Sequence, residues 1–201
     1  CILQPEDVTV PDFAAAVAER EPDVIAVVAY KILPPEVFTA ARKGAFNLHG
    51  SLLPRYRGAA PINHAIMAGE SKTGVTTFFL EPSVDTGDII LQKEMSIGPN
   101  ETAGSVHDRM AELGADAVVE TVRQLDEGTV ETRSQDDDKA TPAPKIHDAD
   151  CETPWEASAE AVHNHVRGLS PYPGAWTQHG DTRLKLYRTR RAEGTGTPGT
   201  V

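Results

Sequence analysis

Residues 23–30, DVIAVVAY, constrain this chain more than any other stretch. The run is continuous, rich in Val and Ile and without polar alternation, which suits a strand buried on both faces. Before it, Pro11-Asp12 opens an amphipathic helix over 13–18; after it, Pro34-Pro35-Glu36 starts another. Residues 44–49 read as a second strand that ends in polar side chains. Strands alternating with helices favour an α/β fold with a mostly parallel sheet. In such sheets ligands lie beyond the carboxyl ends of the strands, where Asn47 and His49 fall.

The pattern continues with a helix over 59–69, behind Pro61 and closed by Gly69. Strands are expected at 75–80 and 89–97, joined by the loop Pro82-Ser83-Val84-Asp85-Thr86-Gly87. A helical period runs over 101–126 through Val106, Met110, Leu113, Val118, Val122 and Leu125, and Gly128 ends it. Residues 129–154 then turn polar, with Asp136-Asp137-Asp138 and three prolines, and read as a linker over the surface. Beyond it come a helix at 157–169, a turn at 171–174 and strands at 174–178 and 183–189. The organisation is therefore a catalytic-sized unit at 1–128, a linker at 129–154 and a second module at 155–201. Residues 193–200, rich in Gly, Thr and Pro, read as a loop.

Hydrophobic residues make up 39% of the 201 and charged residues 24%, enough for a core and too apolar for a disordered chain. No apolar run approaches the roughly 18 residues of a membrane span. Cys1 and Cys151 stand far apart without CxxC spacing, which argues against a disulfide scaffold and a zinc site. A reducing cytoplasmic setting, no membrane contact, no metal and a monomer are the expectations. The chain begins at Cys1 and ends at Gly199-Thr200-Val201, a turn that could lead into a strand; both ends read as cuts in a longer protein.

Charge is unevenly distributed. Residues 1–150 hold 13 Lys/Arg and 25 Asp/Glu, whereas residues 151–201 hold six and five, for a net of −11. Arg183, Lys185, Arg188, Arg190 and Arg191 fall within nine residues that contain no acid. A basic stripe on an acidic protein points to a polyanion partner. Gatekeeper charges on an edge strand would give the same pattern.

Asn47-x-His49 places an amide, which can hold a carbonyl oxygen, beside an imidazole, which exchanges protons near neutral pH. Local capping produces such pairs too. The following segment, Ser51-Leu52-Leu53-Pro54-Arg55-Tyr56-Arg57-Gly58, is stiffened by proline and loosened by glycine. Asp85-x-Gly87 combines an acid with a residue that allows close backbone approach to a ligand, although an Asx-turn accounts for it equally well. His163-x-His165 looks like a metal pair, but on a helix the two rings diverge. His64 and His107 read as ordinary helix residues. Neither GxGxxG nor a Walker motif occurs.

Taken together, Phe46-Asn47-Leu48-His49-Gly50-Ser51-Leu52-Leu53-Pro54 and Val84-Asp85-Thr86-Gly87-Asp88-Ile89-Ile90 resemble the folate-dependent formyltransferase family in order and spacing. Further similarity at Arg57-Gly58-Ala59-Ala60-Pro61-Ile62, Ala143-Pro144-Lys145-Ile146 and residues 167–176 is to the branch that acts on methionyl-tRNA. The resemblance covers nearly the whole chain. It implies a Rossmann-like formyltransferase domain followed by the start of a C-terminal, OB-like β-barrel. It also implies a bacterial enzyme of translation initiation that moves a formyl group from 10-formyltetrahydrofolate to methionyl-tRNA, without a metal. Asn47 would grip the formyl oxygen, His49 would flank the transferring carbon, and Asp85 would orient and charge the histidine. Folate would contact Ile32, Leu33, Leu80, Val84, Ser51, Pro54 and Gly87, and the tRNA would meet Arg183, Lys185, Arg188, Arg190 and Arg191. Ala29-Tyr30-Lys31-Ile32-Leu33 lacks a glycine that many members carry after the aromatic residue, which reshapes that loop. Cys151-Glu152-Thr153-Pro154-Trp155 departs from the usual Asp-Trp before the last helix. Competing readings are an amino-sugar nucleotide as acceptor, a formate-releasing hydrolase, and an inactive folate- or RNA-binding fragment.

Overall fold

A computed structural model of the chain describes residues 2–194 and 196–199. Helix α1 (Pro11–Ala18) precedes strand β1 (Ile25–Val28), the short helix α2 (Pro35–Phe38) and strand β2 (Ala45–His49). Helix α3 (Pro61–Met67) leads to β3 (Lys72–Phe79) and β4 (Ile89–Ser96). The long helix α4 (Ala103–Glu127) ends at Gly128 in the left-handed conformation. Helix α5 (Ala159–Leu169) and strands β5 (Ala175–His179) and β6 (Thr182–Leu186) follow.

The main sheet has four strands in the order β1-β2-β3-β4. Only β1 and β2 run parallel; β2–β3 and β3–β4 are antiparallel. The α/β class stands, but the sheet is mixed where a mostly parallel one was expected. Residues 80–88 join β3 to β4, and a connection of that length closes an antiparallel pair but not a parallel crossover of a dozen or more residues. Strand β1 also departs from expectation. It lies at the edge of the sheet among the described residues, so Val27 is buried while Val28 is 50% exposed.

Helix α4 covers one face of the sheet. Val106, Met110 and Ala117 join Ile66, Val75 and Ile97 in the main core, while Leu125 packs with Phe46 and Ile90. Two buried hydroxyls, Thr77 and Thr121, satisfy each other across this interface at 2.8 Å, as burial requires. A smaller core, of Cys151, Val166, Leu169, Ala175 and Trp176, organises the second module. Helix α5 docks it on α3 through the Asn63 amide, which donates to the Gly168 carbonyl at 2.7 Å.

Residues 129–154, expected as a linker over the surface, are mostly exposed and bond through their backbone to the preceding unit. Arg133 exchanges backbone hydrogen bonds with Ile89, and Arg57 does so with Thr141 and Ala143. Ala143 is fully buried beneath them. The segment straps the loops at the carboxyl ends of the strands before it reaches α5. Of the loop expected at 193–200, residues 195 and 200 lie outside the described residues, as do Cys1 and Val201; 193–194 and 196–199 form neither helix nor strand.

Candidate active site

Strand β2 alternates, so Asn47 and His49 emerge on one face at its carboxyl end. They line a cavity of about 760 Å³ together with Asp85, Ile32, Leu33, Leu80 and Val84. Seven of the residues expected at the site thus share one wall. Ile32 and Val84 are exposed at the rim.

His49 is 6% exposed and held from both sides. Its Nε2 lies 2.8 Å from the Tyr56 carbonyl oxygen. A carbonyl only accepts, so Nε2 carries hydrogen and Nδ1 is left to gain or lose a proton. Nδ1 faces Asp85 Oδ2 at 3.7 Å, within ion-pair reach but beyond a direct hydrogen bond. The same carboxylate oxygen accepts the Gly58 N–H at 2.9 Å. The Asn47 side chain is half-buried and makes no hydrogen bond with another described residue, so its amide is free to donate into the cavity.

Two non-glycine residues carry this arrangement in left-handed backbone: Tyr56 at φ 62° and Asp85 at φ 57°. Such conformations cost about 1–3 kcal/mol each and persist where surrounding contacts enforce them. For Tyr56 the contacts are His49 on its carbonyl, Thr141 Oγ1 on its N–H at 2.8 Å, and Glu70, which accepts its phenol at 2.8 Å. Arg55 also donates to Glu70. Burial pushes the Tyr56 phenol up to about 12, with the Glu70 hydrogen bond adding to it. Burial works to raise the Glu70 carboxyl, but the hydrogen bonds from Tyr56 and Arg55 outweigh it and hold that group below its usual range.

Asp85 is fixed from residue 135. Gln135 Nε2 donates to the Asp85 and Gly87 carbonyls, both at 2.9 Å. Its Oε1 accepts from Arg57 at 2.8 and 3.1 Å, and Arg57 also pairs with Asp137 at 2.7 Å.

Ser51, Pro54 and Gly87 do not line the cavity. Ser51 is fully buried and donates to the Arg55 carbonyl at 2.6 Å, shaping the loop after β2. The Pro54 carbonyl accepts the Thr141 N–H at 3.4 Å. Gly87 presses against the Phe79 carbonyl, where a Cβ would collide. The basic stripe divides as well. Arg183 makes a two-pronged pair with Asp148 at 2.9 and 3.0 Å and stacks 3.9 Å over Trp176. Lys185 donates to the Pro173 and Gly174 carbonyls, and Arg191 lies 3.6 Å from Glu160. Arg188 and Arg190 are exposed and have no partner among the described residues. His163 contacts Thr189 and the Pro99 carbonyl, and no His/Cys/Asp/Glu group among the described residues could hold a metal.

The sequence reading missed the Tyr56 carbonyl, the Gly58 N–H and Gln135. Backbone groups leave no side-chain signature, and Gln135 sits in a polar stretch with nothing around it to mark it. His107, an ordinary helix residue by sequence, lines the cavity from α4.

A wall of this kind on this sheet defines a class, and the comparisons agree. The formyl transferase family matches residues 3–122, and the formyl transferase C-terminal domain matches residues 145–201. The chain belongs to the formyl transferase family. Among its relatives is the methionyl-tRNA formyltransferase of Chlorobium phaeovibrioides, 50% identical over 205 residues that cover 100% of this chain and 64% of that protein. The methionyl-tRNA formyltransferase of Roseobacter denitrificans is 47% identical, over 97% of this chain and 62% of its own length. The chain thus spans about three fifths of the length of these curated relatives. Of solved structures, an N-formyltransferase from Helicobacter canadensis in complex with folinic acid and dTDP-3-aminofucose is 25% identical, covering 62% of this chain and 46% of that one, with a TM-score of 0.58. HypX from Aquifex aeolicus, in complex with tetrahydrofolic acid, shares the fold at a TM-score of 0.77 and 23% identity over 96% of this chain and 34% of that one. No helix among the described residues is long and apolar enough to cross a membrane.

Proposed function

We propose that the protein transfers a formyl group from 10-formyltetrahydrofolate to the amino group of methionyl-tRNA. One observation carries the chemistry: an unengaged amide, Asn47, stands in one apolar cavity with an imidazole whose Nδ1 faces a carboxylate at 3.7 Å. The cavity volume lies within the range of about 300–1,000 Å³ that takes a molecule of this size. Ile32, Leu33, Leu80 and Val84 supply apolar walls for the pterin.

The amine attacks the formyl carbon, and a carbon–nitrogen bond forms as the carbonyl oxygen becomes an oxyanion. Asn47 and the protonated His49 donate to that oxygen. One such donor typically contributes about 3–4 kcal/mol in the transition state. Collapse breaks the bond to N10. N10 leaves poorly unless protonated, so the Nδ1 proton of His49 goes to it and the proton shed by the amine returns to Nδ1. Asp85 stabilises the imidazolium through each exchange and is not consumed.

The acceptor rests on relatives that are 42–52% identical and carry the name methionyl-tRNA formyltransferase. Three sugar N-formyltransferases of known structure are 19–25% identical to the chain. The deciding experiment incubates the full-length protein and 10-formyltetrahydrofolate with methionyl-tRNA, free methionine or amino-sugar nucleotides. Formylation of methionyl-tRNA alone is expected. Transfer to the sugar nucleotide alone would move the assignment to that branch, and release of formate without transfer would make the protein a hydrolase.

A further inference from the structure

We infer that Gln135 is a positioning residue for Asp85, set in the active site by the strap that follows α4. The inference rests on the formyl-transfer reading for its kinetic consequence and on geometry for everything else. Gln135 lies between the two family matches, which end at residue 122 and resume at 145.

Its side chain has one possible orientation. Arg57 only donates, so the atom it holds at 2.8 and 3.1 Å is the amide oxygen. The amide nitrogen is thereby turned toward two carbonyls that only accept, those of Asp85 and Gly87. Both N–H bonds fall on one tight turn and clamp it around Thr86. That turn carries Asp85 in the left-handed conformation at φ 57° and directs its carboxylate to Gly58 N–H and His49. Gly58 is the neighbour of Arg57 in sequence, so the contacts close into a ring: Gln135 to the Asp85 turn, Asp85 to Gly58, Arg57 back to Gln135. Gly58 itself takes φ 126°, and a Cβ there would meet the Ala143 carbonyl of the strap. Without the two donors, a strained turn would be left to set the distance between carboxylate and imidazole by itself. Displacements on the order of 1 Å cost catalytic groups about 100-fold.

Gln135→Glu tests this in the full-length protein. The substitution keeps an acceptor for Arg57 and removes both donors. Hydrogen exchange of the Gly58 amide, whose partner among the described residues is the Asp85 carboxylate, reads the placement directly. The Gly58 amide is expected to exchange faster in the variant, while amides in the middle of α4 keep their wild-type rates. In formyl transfer, kcat should fall by about 10- to 100-fold with KM for 10-formyltetrahydrofolate within about twofold. In an Asp85→Asn background the same substitution should change kcat less than about twofold, because residues acting through one another are not additive. Unchanged Gly58 exchange overturns the inference, as does a loss of kcat that multiplies fully with that of Asp85→Asn. Gln135→Leu, which removes the Arg57 acceptor as well, repeats the exchange measurement if the glutamate variant folds poorly. If the wild type transfers no formyl group, the reading of the reaction fails while Gly58 exchange still decides the role of Gln135.

Discussion

At the scale of single residues, the candidate site separates groups that hold from groups proposed to act. Asp85 is half-committed already, since one carboxylate oxygen accepts the Gly58 N–H while facing His49. Asp85→Asn keeps the shape and removes the charge. Turnover in the full-length protein should drop by about two decades or more with an unchanged melting temperature, and near-wild-type turnover would remove Asp85 from the mechanism. Asn47→Ala should lower kcat more than it raises KM for the folate, because an oxyanion takes the amide hydrogen bond more strongly than a formyl oxygen does. A change confined to KM would make Asn47 a binding group. Tyr56 makes a different point, because its carbonyl serves His49 and its phenol serves Glu70. Its phenol is raised to about 12 from an ordinary 10.0, so the fold favours the neutral form. That stabilisation is complete below pH 10 and is lost as pH rises toward 12. Ultraviolet titration should show a phenol ionising near pH 12 that Tyr56→Phe abolishes, with a shallower alkaline loss of melting temperature in the variant.

At the scale of elements, the structure explains which expectations held. Helix α4 was legible because its apolar positions repeat over seven turns and both ends carry caps, Thr102 and Gly128. Strand β2 was legible through its apolar start and polar end. Strand β1 shows the limit: a continuous Val-rich run fixes a strand but not its neighbours, and this one is an edge among the described residues. Direction was equally invisible, since nothing local in β3 or β4 distinguishes parallel from antiparallel pairing until the loop at 80–88 is measured. Of the cavity's polar lining, Asn47, His49 and Asp85 could be anticipated from motif and spacing, whereas the Tyr56 carbonyl and the Gly58 N–H that contact the last two could not. Helix α5 carries an element-scale consequence. Burial holds the His165 imidazole below its usual 6.5, against hydrogen bonds to the backbone of Cys151 and Glu152, and Nε2 has no hydrogen-bond partner. A depressed histidine gives stability that is complete above pH 6.5 and lost as pH falls below it. The wild type should therefore lose melting temperature on acidification from pH 7 through 5 more steeply than His165→Gln. Equal slopes would show that the ring titrates freely.

At the scale of the molecule, the chain carries a net charge of −11, and the partner proposed for it, methionyl-tRNA, is itself a polyanion. Association then depends on where the few uncommitted cations stand. Within the basic stripe, Arg183, Lys185 and Arg191 are engaged within the protein, which leaves Arg188 and Arg190 without a partner among the described residues. Replacing these two by Ser in the full-length protein should reduce the slope of log K for methionyl-tRNA against log salt by about one per lost phosphate contact. Folate binding should not change. Parallel slopes would mean that the arginines only keep the surface soluble.

The strap also bears on how such a protein could be recombined. Asn47, His49 and Asp85 all precede residue 128, and by sequence the chain looks as though it could be cut there and its front half joined to another module. A chimera made at that seam would inherit the three side chains proposed to act and lose Gln135, Thr141 and Ala143, which brace the turns beneath them. The workable crossover lies after Ala143. The unit that evolution or a designer can transplant is therefore longer than the unit that carries the motifs.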